Sequence, residues 1–484
     1  MMPSLRKCLG DKGVWAALLA CLAFGVGAAP VERGLPPGIW QSRGYGAIFQ
    51  VEAGKVTLYE TLGAQCLRQS FMTPAQFSGS YGDWIRNASE PGAAWHLIVS
   101  GMTVDRLDRL PAACSDAPPN RDPLRNFDYL WNTFDTHYAF FATHGVDWQA
   151  LRESYRARVA ALPKDGDPFP IFAEMLALLK DTHVRMVDGK RVARVKKFPI
   201  ATQAGPDGPV LLDDHYLQKQ LVAYLQGKDT PLSSAAKEAG NRQVYYGKLK
   251  PRSGDAKDAA TYGYVAIFTM AGFGEGDDDH VPMDIRVRSV DAAMDEVVAG
   301  LRGVKGVIVD LRYNGGGEES IALAIAGRFA AAPRPVWSKR VYEKGKTHPA
   351  YAMQVRPSAG NRLPVPLAVL TGDFTVSAAE TATMALRALP ATVQIGQPTR
   401  GVLSDRLEKV LPNGWSFSLS NEIYMDPHGK VFEVSGVPPD VATPVPAPTS
   451  PDALRFRRDI DIGTAELDRL LQNAAARTTN AHGG

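Results

Sequence analysis

The sequence is poor in cysteine and histidine and has little excess charge of either sign. Its 484 residues include four cysteines and nine histidines, and the formal net charge is +3. A near-neutral chain without a basic stripe is a poor partner for nucleic acid, so we expect no nucleic-acid binding. Cys66 and Cys114 have no matching His/Cys cluster, which argues against a zinc site. We therefore expect neither a metal nor another cofactor.

Apolar runs of membrane length are also absent. Basic residues precede the apolar run at 14–26, and the small residues Gly27, Ala28 and Ala29 follow it. That order is typical of a secretory signal peptide, and the run is too short to span a bilayer comfortably. We predict cleavage after Ala28 and a periplasmic or secreted protein.

A second interpretation of the same segment makes it a lipoprotein signal, with Cys21 acylated. With either kind of signal the protein is exported, and export places its cysteines in an oxidising compartment. Cys66 and Cys114 form an even pair in an oxidising compartment, so the sequence predicts a disulfide between them.

Composition and periodicity divide the chain into six parts. They are a signal peptide, a small β-rich N-terminal domain, a helical region, an irregular connection, an α/β core, and a linker with a C-terminal helix. Their predicted bounds are 1–28, 31–118, 122–200, 201–262, 263–445 and 446–484. The core alternates strands and helices, which indicates a mostly parallel, helix-covered sheet.

The segment 366–389 (PLAVLTGDFTVSAAETATMALRAL) combines a short apolar run, a turn and a segment of helical length. Ser377 opens the predicted helix, at the positive end of its dipole and beside backbone N–H groups without an intrahelical partner. That position suits an exposed nucleophile, with the amide of Ala378 holding the oxyanion. The same pattern also fits a serine that only caps a core helix.

A second feature follows the predicted strand VIVDL. Asn314 is followed by three glycines, which allow close backbone approach and leave amides pointing outward. Beside a serine nucleophile, this turn would supply the second oxyanion donor. The turn lacks the closing Lys-Ser/Thr of a P-loop. By itself it also fits an ordinary strand-to-helix turn.

A serine nucleophile needs a base and an orienting acid. His183 lies at the end of a predicted helix in LKDTH, whereas His137 and His144 lie in an aromatic helical stretch and are interpreted as structural. Several acids could orient the base, and composition does not choose among them. They are Glu433, Asp405, Glu408 and Asp440.

An ordered set of segments resembles the tail-specific (C-terminal processing) serine proteases, in their tricorn-like branch. The set covers about 126–445 and comprises FDYLWNTFDTHYAFF, LKDTH, GYVAIF, VIVDLRYNGGG, LTGDFTVSAAE, IGQPTRG, LPNGWSFSLS and FEVSGVPPD. The resemblance implies a crotonase/ClpP-like α/β protease core with a helical cap region. Such an enzyme acts on peptides or unfolded protein segments.

The resemblance also implies residue roles. Ser377 matches the nucleophile, His183 the general base and Glu433 the acid that completes the set. Thr182 falls where tricorn has a serine that hydrogen-bonds to that acid. The amides of Ala378 and of Gly316 or Gly315 match the oxyanion hole.

Two departures from the family pattern narrow this interpretation. The processing-protease branch has a catalytic lysine just after the glycine of a TxGK segment, and this chain has Val402 there. The set Ser377, His183 and Glu433 is therefore favoured over a Ser–Lys dyad. Residues 201–262 show no PDZ pattern, which puts recognition of substrate C-termini in doubt.

The sequence therefore predicts an exported serine endopeptidase that works through an acyl-enzyme. A non-catalytic member of the same fold that binds a peptide or an apolar ligand is the first alternative. A crotonase-type acyl-thioester enzyme is the second, and the export signal opposes it.

Overall fold

The computed structural model describes most of the chain outside its two ends. The described residues are 36–81, 84–86, 95–97, 101–115, 120–163, 166–195, 202–205, 208–211, 213–251, 261–276, 281–445 and 453–481. The predicted signal peptide and Cys21 lie outside them. None of the described helices is long and apolar enough to cross a membrane.

The N-terminal part is an eight-stranded sheet with one helix, α1 (Pro74–Tyr81). Its strands β1 to β8 are Gly38–Ser42, Ala47–Glu52, Lys55–Leu62, Gln65–Met72, Trp84–Arg86, Trp95–Leu97, Thr103–Leu107 and Cys114–Ser115. The strand order is β5-β6-β7-β1-β2-β3-β4-β8. β4 and β8 pair in parallel and bring Cys66 opposite Cys114, and the two sulfurs form a disulfide with an S–S distance of 2.00 Å.

Three helices and a short hairpin follow. They are α2 (Pro123–His137), α3 (Trp148–Ala160), α4 (Phe169–Ala177), β9 (Arg185–Val187) and β10 (Val192–Arg194). Asp122 and Asp147 cap α2 and α3 by accepting backbone N–H bonds. The aromatic side chains of this stretch pack into one hydrophobic core.

The segment predicted to be an irregular connection contains more structure than expected. It forms β11 (Thr202–Gly205), β12 (Gly208–Leu211), α5 (Asp214–Gln226), β13 (Lys237–Ala239) and β14 (Val244–Lys248). β13 and β14 pair with each other, and β14 pairs with the first strand of the main sheet. That pairing is long-range, so the local composition did not indicate it.

The α/β part alternates strands and helices. Its elements are β15 (Tyr262–Ile267), α6 (Met283–Gly300), β16 (Gly306–Asp310), α7 (Glu319–Gly327), β17 (Arg334–Glu343), β18 (Lys346–Thr347), β19 (Tyr351–Val355), β20 (Leu367–Thr371), α8 (Ala378–Arg387) and β21 (Thr392–Gly396). The last elements are β22 (Arg406–Val410), β23 (Ser416–Ser420), β24 (Glu422–Met425), β25 (Val441–Ala442) and α9 (Arg458–Ala481).

Five of these strands join β13 and β14 in a seven-stranded sheet with the order β13-β14-β15-β16-β20-β21-β25. The strands from β15 to β25 are parallel to one another, and β13 and β14 run antiparallel at one edge. Buried side chains of α6, α7 and α8 pack on one face, and those of α5 and α9 pack on the other. The mostly parallel, helix-covered sheet predicted from the alternation is therefore present.

β22 and β23 form a hairpin that joins the helical region to this core. They pair antiparallel across the turn that contains Asn413 and Gly414. β23 also pairs with β9, which directly follows His183. The hairpin therefore brings the end of the helical region to the carboxyl edge of the main sheet.

Candidate active site

Two turns meet at the carboxyl ends of neighbouring parallel strands. β16 and β20 are adjacent, so the glycine turn after β16 and the turn after β20 lie side by side. The Thr375 hydroxyl donates to the Leu311 carbonyl at 2.7 Å, and the Val376 amide donates to the Asn314 carbonyl at 3.0 Å. The two turns are therefore fixed to each other immediately before Ser377.

Ser377 stands at the sharp corner between β20 and α8. Its φ of 58° and ψ of −123° lie where non-glycine residues are strained, at a cost of about 1–3 kcal/mol. Its amide donates to Glu380 Oε2 at 3.0 Å, which holds this conformation. Ala378 is the first helical residue, and its amide has no acceptor in the part of the chain that the structure describes. An anion beside Ser377 would meet that amide.

The glycine turn lies directly against the serine. A Cβ on Gly316 would stand 2.8 Å from the Ser377 Cβ and 2.6 Å from the Val376 carbonyl oxygen, so only glycine fits there. The amide of Gly316 donates to Asn314 Oδ1 at 2.9 Å. Gly315 instead faces Asp214. Of the two glycines selected from the sequence, the structure thus brings Gly316 to the serine, with its amide already bonded.

Gly317, which the sequence reasoning did not select, lines the cavity beside Ser377 and Ala378. Its amide has no acceptor among the described residues. The signal in the sequence was the third glycine of the run. The chain therefore offers two unbonded amides, those of Ala378 and Gly317, at the cavity that contains the serine.

His183 follows α4 in a tight turn and is buried, with 8% of its surface exposed. Asp181 Oδ1 accepts the His183 amide at 2.8 Å, and Asp181 Oδ2 accepts the Tyr138 hydroxyl at 3.1 Å. The Ser418 hydroxyl donates to the His183 carbonyl at 2.6 Å. The backbone of the histidine is thus fixed from two sides. Its Nδ1 is buried and finds no hydrogen-bond partner within the described residues.

Burial lowers the pKa of His183 below its ordinary value, because the buried imidazolium loses its hydration. The charges of Asp181 and Asp405 act in the opposite direction, and that of Arg406 adds to the lowering. His183 is therefore neutral at neutral pH, the state that a general base requires.

Burial lowers the pKa of both other histidines of the helical region. His137 Nδ1 lies 3.0 Å from the Gly44 carbonyl, and burial lowers the pKa of this histidine to about 3. His137 is therefore a neutral core residue that joins α2 to the N-terminal sheet. Burial also lowers the pKa of His144, whose ring lies near Tyr138.

Glu433 is buried, and its Oε2 accepts the amides of Leu403 and Ser404 at 2.9 and 3.0 Å. Burial raises the pKa of Glu433 well above its ordinary value, and the nearby charges of Asp181 and Glu380 raise it further. Thr182 Oγ1 is buried without a partner in the described chain, so the expected bond to Glu433 is not formed.

Glu380 is a fully buried acid that the sequence reasoning did not single out. Its Oε1 accepts the Thr399 hydroxyl at 2.6 Å and the Gly401 amide at 2.7 Å. Its Oε2 accepts the amides of Val402 and Ser377 at 2.8 and 3.0 Å. Burial raises the pKa of Glu380 to about 7. The signal in the sequence was the S-x-x-E spacing of a capping box at the start of α8.

Residues 399–404, which we call the strap, connect the three predicted catalytic residues. Glu380 holds its first half and the amide of Ser377, and Glu433 holds its second half. The Ser404 backbone raises the pKa of His183, so the imidazole lies near the end of the strap. Val402 lies in the middle of the strap and has no titratable group. The structure therefore gathers Ser377, His183 and Glu433 around one short backbone segment.

The remaining candidate acids lie elsewhere. Glu408 is exposed on β22, 3.7 Å from Arg406. Asp440 pairs with Arg387 at 2.9 Å and accepts the Gln394 amide, which is a structural role. Asp405 lines the cavity beside Ser377. That cavity measures about 70 Å³, and His183 is not among the described residues that line it.

The chain matches two family models. Residues 261–443 match peptidase family S41, and residues 119–177 match the tricorn protease C1 domain. The chain is therefore similar to the S41 peptidases and to tricorn, and it is a serine peptidase. Its S41 part contains the glycine turn, Ser377, the strap and Glu433, and the tricorn-like part ends just before His183.

The chain is also similar to several solved structures. A protein of Parabacteroides merdae proposed to be a peptidase has 26% sequence identity, with a TM-score of 0.53 over 68% of this chain and 91% of that one. Mature CPAF has 11% identity and a TM-score of 0.50 over 75% and 98% of the two chains, which shows a similar fold. The photosystem II D1 C-terminal processing protease has 18% identity and a TM-score of 0.44 over 68% and 95%. No curated protein matches the chain.

Proposed function

We propose that this serine peptidase is an endopeptidase that cleaves peptides or unfolded protein segments with Ser377 as nucleophile. The observation that carries the proposal is the corner at Ser377, with its positive φ and the unbonded amides of Ala378 and Gly317 beside it. A serine in this position can attack a carbonyl whose oxygen is held by those amides. The Gly316 amide is a third donor, available once it leaves Asn314.

His183 acts as the base in this proposal. It takes the proton of the Ser377 hydroxyl as the oxygen bonds to the scissile carbonyl carbon, and returns that proton to the leaving amine. Water then hydrolyses the acyl-enzyme with the same histidine as base. Glu433 stabilises the imidazolium and fixes the strap through the Leu403 and Ser404 amides. We further infer a crotonase/ClpP-like core, which the parallel sheet and its two layers of helices support.

Covalent labelling with a fluorophosphonate tests the nucleophile. Mass spectrometry of the labelled protein should place the probe on Ser377, and Ser377→Ala should abolish labelling. Ser435→Ala serves as a control, because Ser435 is exposed and its hydroxyl donates only to backbone carbonyls among the described residues. A label on another residue, or none, would overturn the assignment.

We also propose that the chain is exported. The order of basic, apolar and small residues at the N-terminus supports a signal peptide, and the disulfide between Cys66 and Cys114 suits an oxidising compartment. N-terminal sequencing of the protein from a host with a secretion pathway should show cleavage after Ala28. A lipid on Cys21 would support the lipoprotein alternative, and an intact N-terminus would contradict export.

A further inference from the structure

The cavity beside Ser377 has an acidic wall. Its lining includes the carboxylates of Glu318, Glu319 and Asp405, with Ser320 and Tyr424 between them. No lysine, arginine or histidine lines it in the part of the chain that the structure describes. Ser377 lines the same cavity, so whatever occupies this cavity lies close to the serine.

In this wall, Glu319 has one carboxylate oxygen without a hydrogen-bond donor in the described part of the chain. That oxygen, Oε1, is buried. The Tyr424 hydroxyl also lines the cavity, but it has one proton, which it gives to Glu422 Oε2 at 2.9 Å. Glu319 Oε1 therefore lacks a partner that its charged form requires. Consistent with this, burial raises the pKa of Glu319 to about 7.

The charges behind this wall do not balance. Lys339 Nζ lies 3.3 Å from Glu319 Oε2 and 3.2 Å from Glu422 Oε2, so two buried carboxylates share one ammonium group. Asp405 is exposed at the cavity mouth and has no cation within 4.0 Å among the described residues. An additional cation in the cavity would compensate Glu319 and Asp405 together.

The volume limits what that cation can be. A water-sized group needs roughly 10–15 Å³ of cavity, so the cavity of about 70 Å³ holds about five to seven such groups. Lysine and arginine side chains have about that number of heavy atoms beyond Cα. The described residues also contain no group of three or more His, Cys, Asp or Glu side chains that could hold a metal ion. An organic cation fits both observations.

We propose that this cavity binds the basic side chain, lysine or arginine, of the substrate residue whose carbonyl Ser377 attacks. The proposal rests on the proposed function of Ser377. In the complex, the substrate ammonium or guanidinium group donates to Glu319 Oε1, and Asp405 attracts it at the mouth. The Ser377 hydroxyl then meets the carbonyl that follows the basic residue.

Matched fluorogenic peptides test the proposal. One pair carries arginine or its neutral isostere citrulline before the scissile bond, and the other carries lysine or norleucine. The value of kcat/KM should be at least tenfold higher for the charged member of each pair. Equal values, or a preference for the neutral residue, would overturn the proposal.

Two variants test whether the preference for a basic residue depends on the acids of the cavity wall. Glu319→Gln and Asp405→Asn should each reduce the ratio of arginine to citrulline cleavage by at least fivefold. Asp284→Asn is the charge-matched control, because Asp284 is exposed on α6 and pairs with Arg288, and its ratio should be unchanged. Thermal unfolding checks that each variant is folded. If Glu319→Gln is not folded, the exposed Asp405→Asn decides, and an unchanged ratio there contradicts the proposal.

A competition experiment separates this proposal from the proposed function. A peptide aldehyde with arginine at its carboxyl end should protect Ser377 from the fluorophosphonate at a lower concentration than the citrulline aldehyde does. If Ser377 is labelled and both aldehydes protect it equally, the binding of a basic side chain in the cavity is refuted, but the serine nucleophile is not. Absence of labelling without any aldehyde refutes the serine nucleophile instead.

Discussion

At the scale of single residues, the buried carboxylates differ in what they hold. Glu380 accepts four hydrogen bonds and Glu433 accepts two, all from Ser377 and the strap. Asp181 instead accepts the backbone amide of His183. Ser377 and His183 are thus each positioned through a backbone amide by a different acid.

The nucleophile and the base should act as one unit. Ser377→Ala and His183→Ala should each remove most of the turnover, and the double variant should be only slightly worse than either, because one residue is ineffective without the other. The measurement is kcat/KM for one peptide with all three variants. If the loss of kcat/KM in the double variant equalled the product of the two single losses, His183 would not act as the base for Ser377.

The pH dependence should report the burial of His183. A general base works in its neutral form, so kcat/KM falls as pH drops through the pKa of the histidine. Because burial lowers that pKa, the acid limb should lie below the ordinary histidine value of 6.5. The measurement is kcat/KM against pH on a peptide without titratable side chains.

Two substitutions should move this limb in opposite directions. Asp181→Asn removes a charge that raises the pKa of His183, so the limb should move to lower pH. Arg406→Gln removes a charge that lowers it, so the limb should move to higher pH. If kcat/KM instead fell near pH 7 and neither substitution shifted that pH, the titrating group would be Glu380 rather than His183.

At the scale of elements, the strap should depend on Glu380. Glu380→Ala leaves the Ser377, Gly401 and Val402 amides without an acceptor inside the protein. Hydrogen bonds to charged groups contribute about 1.5–3 kcal/mol each, so we expect the free energy of unfolding to fall by at least about 3 kcal/mol and Ser377 to lose its reactivity. Urea unfolding and fluorophosphonate labelling measure the two effects.

Two further substitutions control this prediction. Glu380→Gln keeps the shape and one acceptor oxygen, so its loss of stability should be intermediate. Glu408→Ala removes an exposed carboxylate from β22, and should change the free energy of unfolding by less than about 0.5 kcal/mol. A Glu380→Ala variant as stable as Glu408→Ala would contradict the role assigned to the strap.

Some of the strands and helices could be predicted from the sequence, and others could not. β15, β16, β20 and α8 could be predicted because each is specified by its own apolar pattern and by the turn residues beside it. The pairing of β13 with β14 and of β14 with β15 was missed, since their apolar pattern is weak and the pairing depends on tertiary contacts. The role of Glu380 was missed because three of its four partners lie in the strap. The role of Asp181 was missed although His183, whose amide it accepts, is only two residues away.

At the scale of the whole molecule, the disulfide closes the edge of the N-terminal sheet. Cys66 and Cys114 are 48 positions apart. The chain-entropy model gives a stabilisation of about 4 kcal/mol for a loop of that length. The Cys66→Ser/Cys114→Ser double variant should therefore unfold at lower urea concentration. Without reduction, peptide mass spectrometry should find the two cysteines linked, and two unlinked peptides would contradict the pairing.

The N-terminal sheet also contacts the proteolytic part of the molecule. The Tyr45 hydroxyl hydrogen-bonds to the buried Glu422, and Lys409 Nζ donates to the Tyr45 carbonyl at 2.7 Å. Ser80 of α1 lines the cavity beside Ser377. Helix α1 of the N-terminal part therefore contributes to the wall of the cavity beside Ser377.

Substrate C-termini should make little difference to this enzyme. Tail-specific recognition needs a domain that binds a free carboxylate, and the segment between the helical region and β15 does not supply one in its described residues. That segment forms α5, which packs on the main sheet, and β13 and β14, which extend it. Matched peptides with free and amidated C-termini should therefore be cleaved at similar rates. A preference for the free acid of tenfold or more, about 1.4 kcal/mol, would show that a carboxylate-binding site exists elsewhere in the chain.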